Sequence, residues 1–282
     1  EPEFPVTVSQ LTQIFPNTDV QRIQEVVTEL NNLSNEFEIN TKDRMAHFLG
    51  QIGTETGGLT QLRENSGYSA KRIYEIFLKV TRTKSGGGLT YKYCDIISGY
   101  DCSDLTSCPN NYAGPQKCTF EMVFMINANG EPIDYSTFDL TNDVKTSYIN
   151  SESLFDYVYS CRMGNGAKST QDGSTYLGKG FIHMTGKDKY SRVSTAWNEK
   201  YPNDIKHFDV GDINLLETDI GIAMKASLIL WELDELNDLA DEGDSNSDID
   251  NVGRAINGSG EALPNGYETR RTLTTKAYEV LD

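Results

Sequence analysis

Apolar residues recur at helical spacing along much of the chain. Leu11, Ile14 and Phe15 follow Thr7-Val-Ser-Gln10, a capping-box pattern, and Pro16 stops the run. Thr18-Asp-Val-Gln21 repeats that pattern ahead of Ile23, Val26, Val27, Leu30 and Leu33. Asn40 or Thr41 is placed to cap a third helix with Met45, Phe48, Leu49 and Ile52 on one face. Ser69 opens a short helix with Ile73, Ile76 and Phe77. Gly86-Gly87-Gly88 marks a flexible break. From there to about residue 150 the pattern is irregular, with short β-like runs such as 120–126. Helical spacing returns over 151–163. A glycine-rich stretch, 164–180, precedes a helix from about Asp188. Residues 219–233 are apolar nearly all round and predict a central buried helix, and 267–280 predict a last one. The acidic stretch 241–250 reads as a solvated loop. The fold class is therefore mainly α, a single domain over 1–282 with an irregular or β insertion over 86–150.

The 282 residues carry 25 Lys+Arg against 42 Asp+Glu, a formal net charge of −17. That balance argues against nucleic acid as a partner, since phosphate binding needs a basic face. No apolar run reaches about 18 residues, so membrane insertion is not expected. The chain starts at Glu1, with no signal peptide in view, and reads as a mature form or as a domain of something longer.

Four of the five cysteines, Cys94, Cys102, Cys108 and Cys118, fall within 25 residues. Their spacing is not that of a zinc site and no His lies among them. Two disulfides stapling a long loop are expected, which implies an oxidising compartment. Cys161 continues the stripe Leu154, Phe155, Val158 and is expected as a buried free thiol. The run Asp244-Ser-Asn-Ser-Asp248-Ile-Asp250 has the look of a calcium loop. It lacks the Gly and Glu such a loop needs, with Ile249 and Ala255 at those positions. No metal and no cofactor are expected.

The most informative segment is Phe48-Leu-Gly-Gln-Ile-Gly-Thr-Glu55-Thr-Gly-Gly-Leu, followed by Arg63-Glu64-Asn65 and Tyr68-Ser69-Ala70. Glu55 extends the apolar stripe of the third helix and stands near its C-terminus. Desolvation and the helix macrodipole both favour the protonated acid there, as general-acid catalysis requires. In one continuous helix Glu64, nine residues on, would face the opposite way. Gly57-Gly58 permits the chain to turn back, so that two carboxylates face each other across a cleft. An inverting glycosidase uses such a pair about 6.5–9.5 Å apart, with a water between.

This segment resembles the catalytic region of glycoside hydrolase family 19, the chitinases and phage-type endolysins. The family pattern is an apolar helix ending in His-Glu-[Ser/Thr]-Gly-Gly, with Glu-Asn-x-x-Tyr-Ser after it in the endolysin branch. Two further blocks agree in order. Arg162-Met-Gly-Asn-Gly166, Asp172-Gly173 and Tyr176-Leu-Gly-Lys-Gly-Phe-Ile-His-Met-Thr-Gly-Lys-Asp-Lys-Tyr190 form one, and Ala255-Ile-Asn-Gly258 the other. The resemblance covers about 40–82 and 151–282. It implies a lysozyme-like bilobal helical fold with a cleft, with Glu55 as general acid and Glu64 as general base. It also implies that Thr185 helps hold the attacking water and that Asn257 contacts substrate. His183 and Tyr190 fall in its sugar-binding strip. Thr54 stands where the family has His, His183 where it has Gln, Lys189 where it has Asn, and Lys179 where it has Arg.

The two endolysin-like blocks favour peptidoglycan glycan strands as substrate, cut by a muramidase-type inverting hydrolysis. A chitinase is the alternative, and a non-catalytic glycan-binding module is the competing class. A bacteriolytic role follows, secreted or delivered to the periplasm of target bacteria, together with an immunity or inhibitor protein that plugs the cleft. The charge distribution agrees. Residues 63–92 hold seven Lys+Arg against two acids, and 162–192 hold six against two. Residues 201–250 hold fourteen acids and two Lys. A basic site within an acidic protein suits an anionic glycan.

Overall fold

The computed structural model describes residues 2–64, 81–85, 88–92, 155–156, 159, 161–258, 260 and 262–281. Four of the cysteines, the helix expected from Ser69, the β-like run 120–126, and most of the 86–150 insertion lie outside these residues. So does Tyr68-Ser69-Ala70. The chain divides into two compact units: 1–64, 178–185 and 189–282 in the first, 65–177 and 186–188 in the second.

The described residues are mainly helical. Thr7 forms the expected capping box and starts α1 (Val8–Ile14). Asp19 rather than Thr18 caps α2 (Val20–Leu33), accepting from Gln21 and Arg22 backbone N–H groups. Thr18 is spent elsewhere, its hydroxyl donating to Gly58 O at 2.5 Å. Thr41 caps α3 (Lys42–Glu55), which ends where Gly57 and Gly58 take φ of 58° and 81°.

The second unit differs from expectation in two places. Strands β1 (Thr81–Ser85) and β2 (Gly88–Lys92) pair antiparallel, Thr81 with Lys92 and Ser85 with Gly88. Strand pairing was not expected there, and residues 86–87 of the expected glycine break lie outside the described residues. Cys161 is half-buried and disulfide-bonded, not a buried free thiol. Its φ of 54° and its N–H bond to Gly166 O (2.8 Å) take it out of the helical stripe and into a turn.

The Arg162–Gly166 block is scaffolding. Asp172, at the start of α4 (Asp172–Thr175), accepts from Gly166 N (2.9 Å) and from Lys187 Nζ (3.4 Å). Asn165 accepts from Lys187 N and donates to Tyr159 O. A Cβ on Gly173 would lie 2.1 Å from Phe155 O, so only glycine fits.

Helix α5 (Lys187–Lys200) follows, then α6 (Leu215–Thr218), α7 (Ile220–Leu233), α8 (Leu236–Ala240), α9 (Asn246–Asn257) and α10 (Tyr267–Val280). Asp219 caps α7, the expected buried helix, whose Trp231 meets Phe48 of α3 edge-on at 5.1 Å. Lys225, the interruption in its apolar run, lies over the rings of Trp197 and Tyr201. The acidic stretch 241–250 is a solvated loop only as far as 245. Ser245 and Asp248 form a capping box that starts α9, and Ile249, Val252 and Ile256 are buried. Asp250 is buried and paired with Arg271.

The tightest helix pair is α3 on α10. A Cβ at Gly50 would lie 1.9 Å from Thr274 Oγ1 and 2.9 Å from Thr274 Cα, so the two backbones meet at this glycine. Gly50→Ala is expected to cost about 2–3 kcal/mol, because the clash includes main chain that no rotamer change relieves. Thermal unfolding measures this, and an unchanged midpoint would refute the close approach.

Candidate active site

Glu55 is the last residue of α3, and its side chain is 14% exposed. The apolar setting expected for it is absent: a buried cation occupies that side. Arg270, in the first turn of α10, is fully buried. Its Nη2 donates to Glu55 Oε1 and, at 3.3 Å, to Asn257 Oδ1. Nη1 donates to Gln51 Oε1, one turn before Glu55 on α3, and Nε donates to Asn265 O at 3.0 Å. Asn257, the last residue of α9, donates from Nδ2 to the same Glu55 Oε1 at 3.2 Å. Gly258 ends that helix in the left-handed region, with φ of 62°. The end of each of two helices and the start of a third thus converge on one carboxylate oxygen.

The other oxygen, Oε2, faces His183 Nδ1 at 3.8 Å. His183 belongs to a hairpin over 178–185, in which Lys179 and Met184 exchange backbone hydrogen bonds (3.2 and 3.0 Å). Glu64 is attached to the same hairpin. Its N–H donates to Gly178 O at 2.8 Å, and Gly180 N donates to Leu62 O at 3.0 Å. A Cβ on Gly178 would stand 3.1 Å from Glu64 Oε2 and 3.1 Å from His183 Cβ. Both carboxylates therefore flank one short hairpin, Glu55 at the His183 ring and Glu64 at Gly178. Thr185 is half-buried, its hydroxyl donating to His183 O at 3.0 Å.

Two residues of the resemblance stand differently. Tyr190 is fully buried on α5, so its ring is a core element and offers no face to a sugar. Lys179 is buried and paired with Glu217 of α6 at 3.0 Å. Arg63 Nη1 lies 3.8 Å from the other oxygen of Glu217, which ties the strand of Glu64 to the hairpin. Lys189 donates to Ile256 O at 3.3 Å beside Asn257, and burial pushes its ammonium below the usual lysine range. Arg270, Gln51, Gln61 and Glu217 went unnoticed in the sequence, because each gains its meaning from a distant partner.

No family model matches the chain. It is 30% identical over 122 residues to a glycosyl hydrolase family 19 domain-containing protein of Haemophilus influenzae, over 43% of this chain. Over that stretch the chain is similar to a glycosyl hydrolase family 19 domain-containing protein. It spans about half (52%) of that relative's length. Among solved structures, chitinase C of Streptomyces griseus is 18% identical at a TM-score of 0.45, covering 99% of this chain and 93% of that one. A mutant of chitinase C is 17% identical at 0.44.

Proposed function

We propose that this chain hydrolyses β-1,4 glycosidic bonds in the glycan strands of peptidoglycan, by an inverting, muramidase-type single displacement. One observation supports the reading above the rest: Arg270 and Asn257 occupy only Oε1 of Glu55, while Oε2 faces the hairpin to which Glu64 is attached. Glu55 gives its Oε2 proton to the glycosidic oxygen. Glu64 takes a proton from the water that attacks the anomeric carbon from the opposite face. Positive charge develops on the sugar, and the carboxylates stabilise it. In a bacteriolytic setting the producer needs a protein that covers Glu55 and Glu64.

Loss of turbidity in a peptidoglycan suspension, run beside colloidal chitin, tests the reading, and mass spectrometry of the products names the bond. Clearing of chitin alone would favour the chitinase reading. Clearing of neither would favour a glycan-binding module. Ionic strength adds a second test. Three cations of the basic stretch 162–192 are paired within the fold: Lys179 with Glu217, Lys187 with Asp172 and Arg192 with Asp234. Steering of an anionic glycan falls to the remaining basic residues. Lysis is expected to decline from low salt to about 0.15 M, where the screening length is about 8 Å. A flat response would count against an anionic substrate.

A further inference from the structure

The imidazole of His183 is anchored at one nitrogen and aimed with the other. Nε2 lies 3.0 Å from Gln61 O, and a carbonyl oxygen only accepts, so Nε2 carries a hydrogen. Nδ1 is then a lone pair in the neutral ring or a second N–H in the imidazolium. It faces Glu55 Oε2. On Glu55, Oε1 accepts from a guanidinium and an amide, and neither can take a proton from it. The exchangeable proton of Glu55 therefore resides on Oε2, the oxygen that faces His183. The backbone at His183 is in the left-handed region, with φ of 43°, which His, Asn and Asp adopt more readily than other non-glycine residues.

We propose that His183 supplies the proton that recharges Glu55 between turnovers. This role rests on the glycosidase reading, in which Glu55 leaves each cycle as a carboxylate. The separation of 3.8 Å is that of a transfer through one water: the Nδ1–H bond of the imidazolium breaks as the water takes that proton, one of the water's own O–H bonds breaks as Oε2–H forms, and the electron pair stays on Nδ1. Solvent then returns a proton to the ring, while Nε2–H stays on Gln61 O. The glutamine that the family carries at this position has no proton to exchange.

Other charged groups surround the pair: Arg63 and Glu64 from the strand before the hairpin, Lys189 from α5 and Arg270 from α10. Lys179, in the hairpin itself, is paired with Glu217.

An imidazolium can hand over a proton and an amide side chain cannot. With an amide at position 183, Glu55 must be recharged by solvent alone.

The experiment is kcat/KM on peptidoglycan against pH for the wild type, His183→Gln and His183→Asn, with folding checked by near-ultraviolet circular dichroism. Glutamine's amide reaches as far as Nε2 and keeps a donor for Gln61 O, while asparagine tolerates positive φ and covers the case in which glutamine disturbs the loop. Both variants are expected to lose activity more steeply than the wild type as pH rises, with about tenfold less activity at pH 7. A profile of unchanged shape in the folded variants, whether at full or uniformly reduced rate, would overturn the role and leave the glycosidase reading standing. No lysis by the wild type at any pH would remove both.

Discussion

Glu64→Gln is expected to abolish lysis without moving the unfolding midpoint, whereas Glu55→Gln is expected to abolish lysis and lower it. The catalytic loss has the same origin in both. An amide neither delivers nor accepts the transferred proton, and positioned acid or base catalysis is worth about 10²–10⁴ in rate. The stability effects differ because the surroundings differ. Glu55 is the carboxylate bound by the fully buried Arg270, so neutralising it leaves a buried guanidinium without a counter-charge. Glu64 is half-buried and its place is secured by its backbone, through the bond to Gly178 O. Turbidity assays beside thermal melts of the three proteins separate the two effects. Near-normal lysis in either variant would sink the assignment of that residue.

Arg270→Met should be the most damaging single change in the described core. The guanidinium satisfies Gln51, Glu55, Asn257 and Asn265 O together, so its removal strands four acceptors, one of them charged. Breaking a buried ion pair from one side costs about 3–5 kcal/mol. For a unit of this size that is a fall of roughly 10 °C in the midpoint. Adding Glu55→Gln to Arg270→Met is expected to recover part of the loss, because the uncompensated carboxylate is then gone. The double-mutant cycle from thermal unfolding measures the coupling. A single-variant loss under about 1 kcal/mol, the range of surface pairs, would show that the pair contributes little.

The local elements were legible to different degrees. The helices at 42–55, 220–233 and 267–280 follow from apolar spacing and end signals that act within one or two turns: Thr41, Gly57-Gly58 and Asp219. Helix α9 carried its own signal in Ser245-x-x-Asp248 and in the stripe Ile249, Val252, Ile256. The five acids of 241–250 masked it. Cys161 was misplaced because periodicity does not say whether the chain leaves the helix before that residue. Tyr190 was placed by the family resemblance, and a motif position does not say what covers a side chain. The Arg162–Gly166 block matched a family motif without revealing that its task is to hold Asp172 and Lys187.

The sequence by itself determined about where helix α3 stops, that Glu55 stands near its C-terminus, and that Gly57-Gly58 lets the chain reverse. These are short-range effects of capping, glycine conformational freedom and apolar spacing. Only the tertiary structure decided what Glu55 is bound to. Arg270 lies 215 positions away and Asn257 lies 202, and no periodicity spans such separations. The choice of which carboxylate oxygen is occupied, and which faces His183, belongs to the packing of α9 and α10 on α3 and to the hairpin over 178–185. That choice exists because a buried guanidinium must find its partners inside the fold, where water cannot supply them.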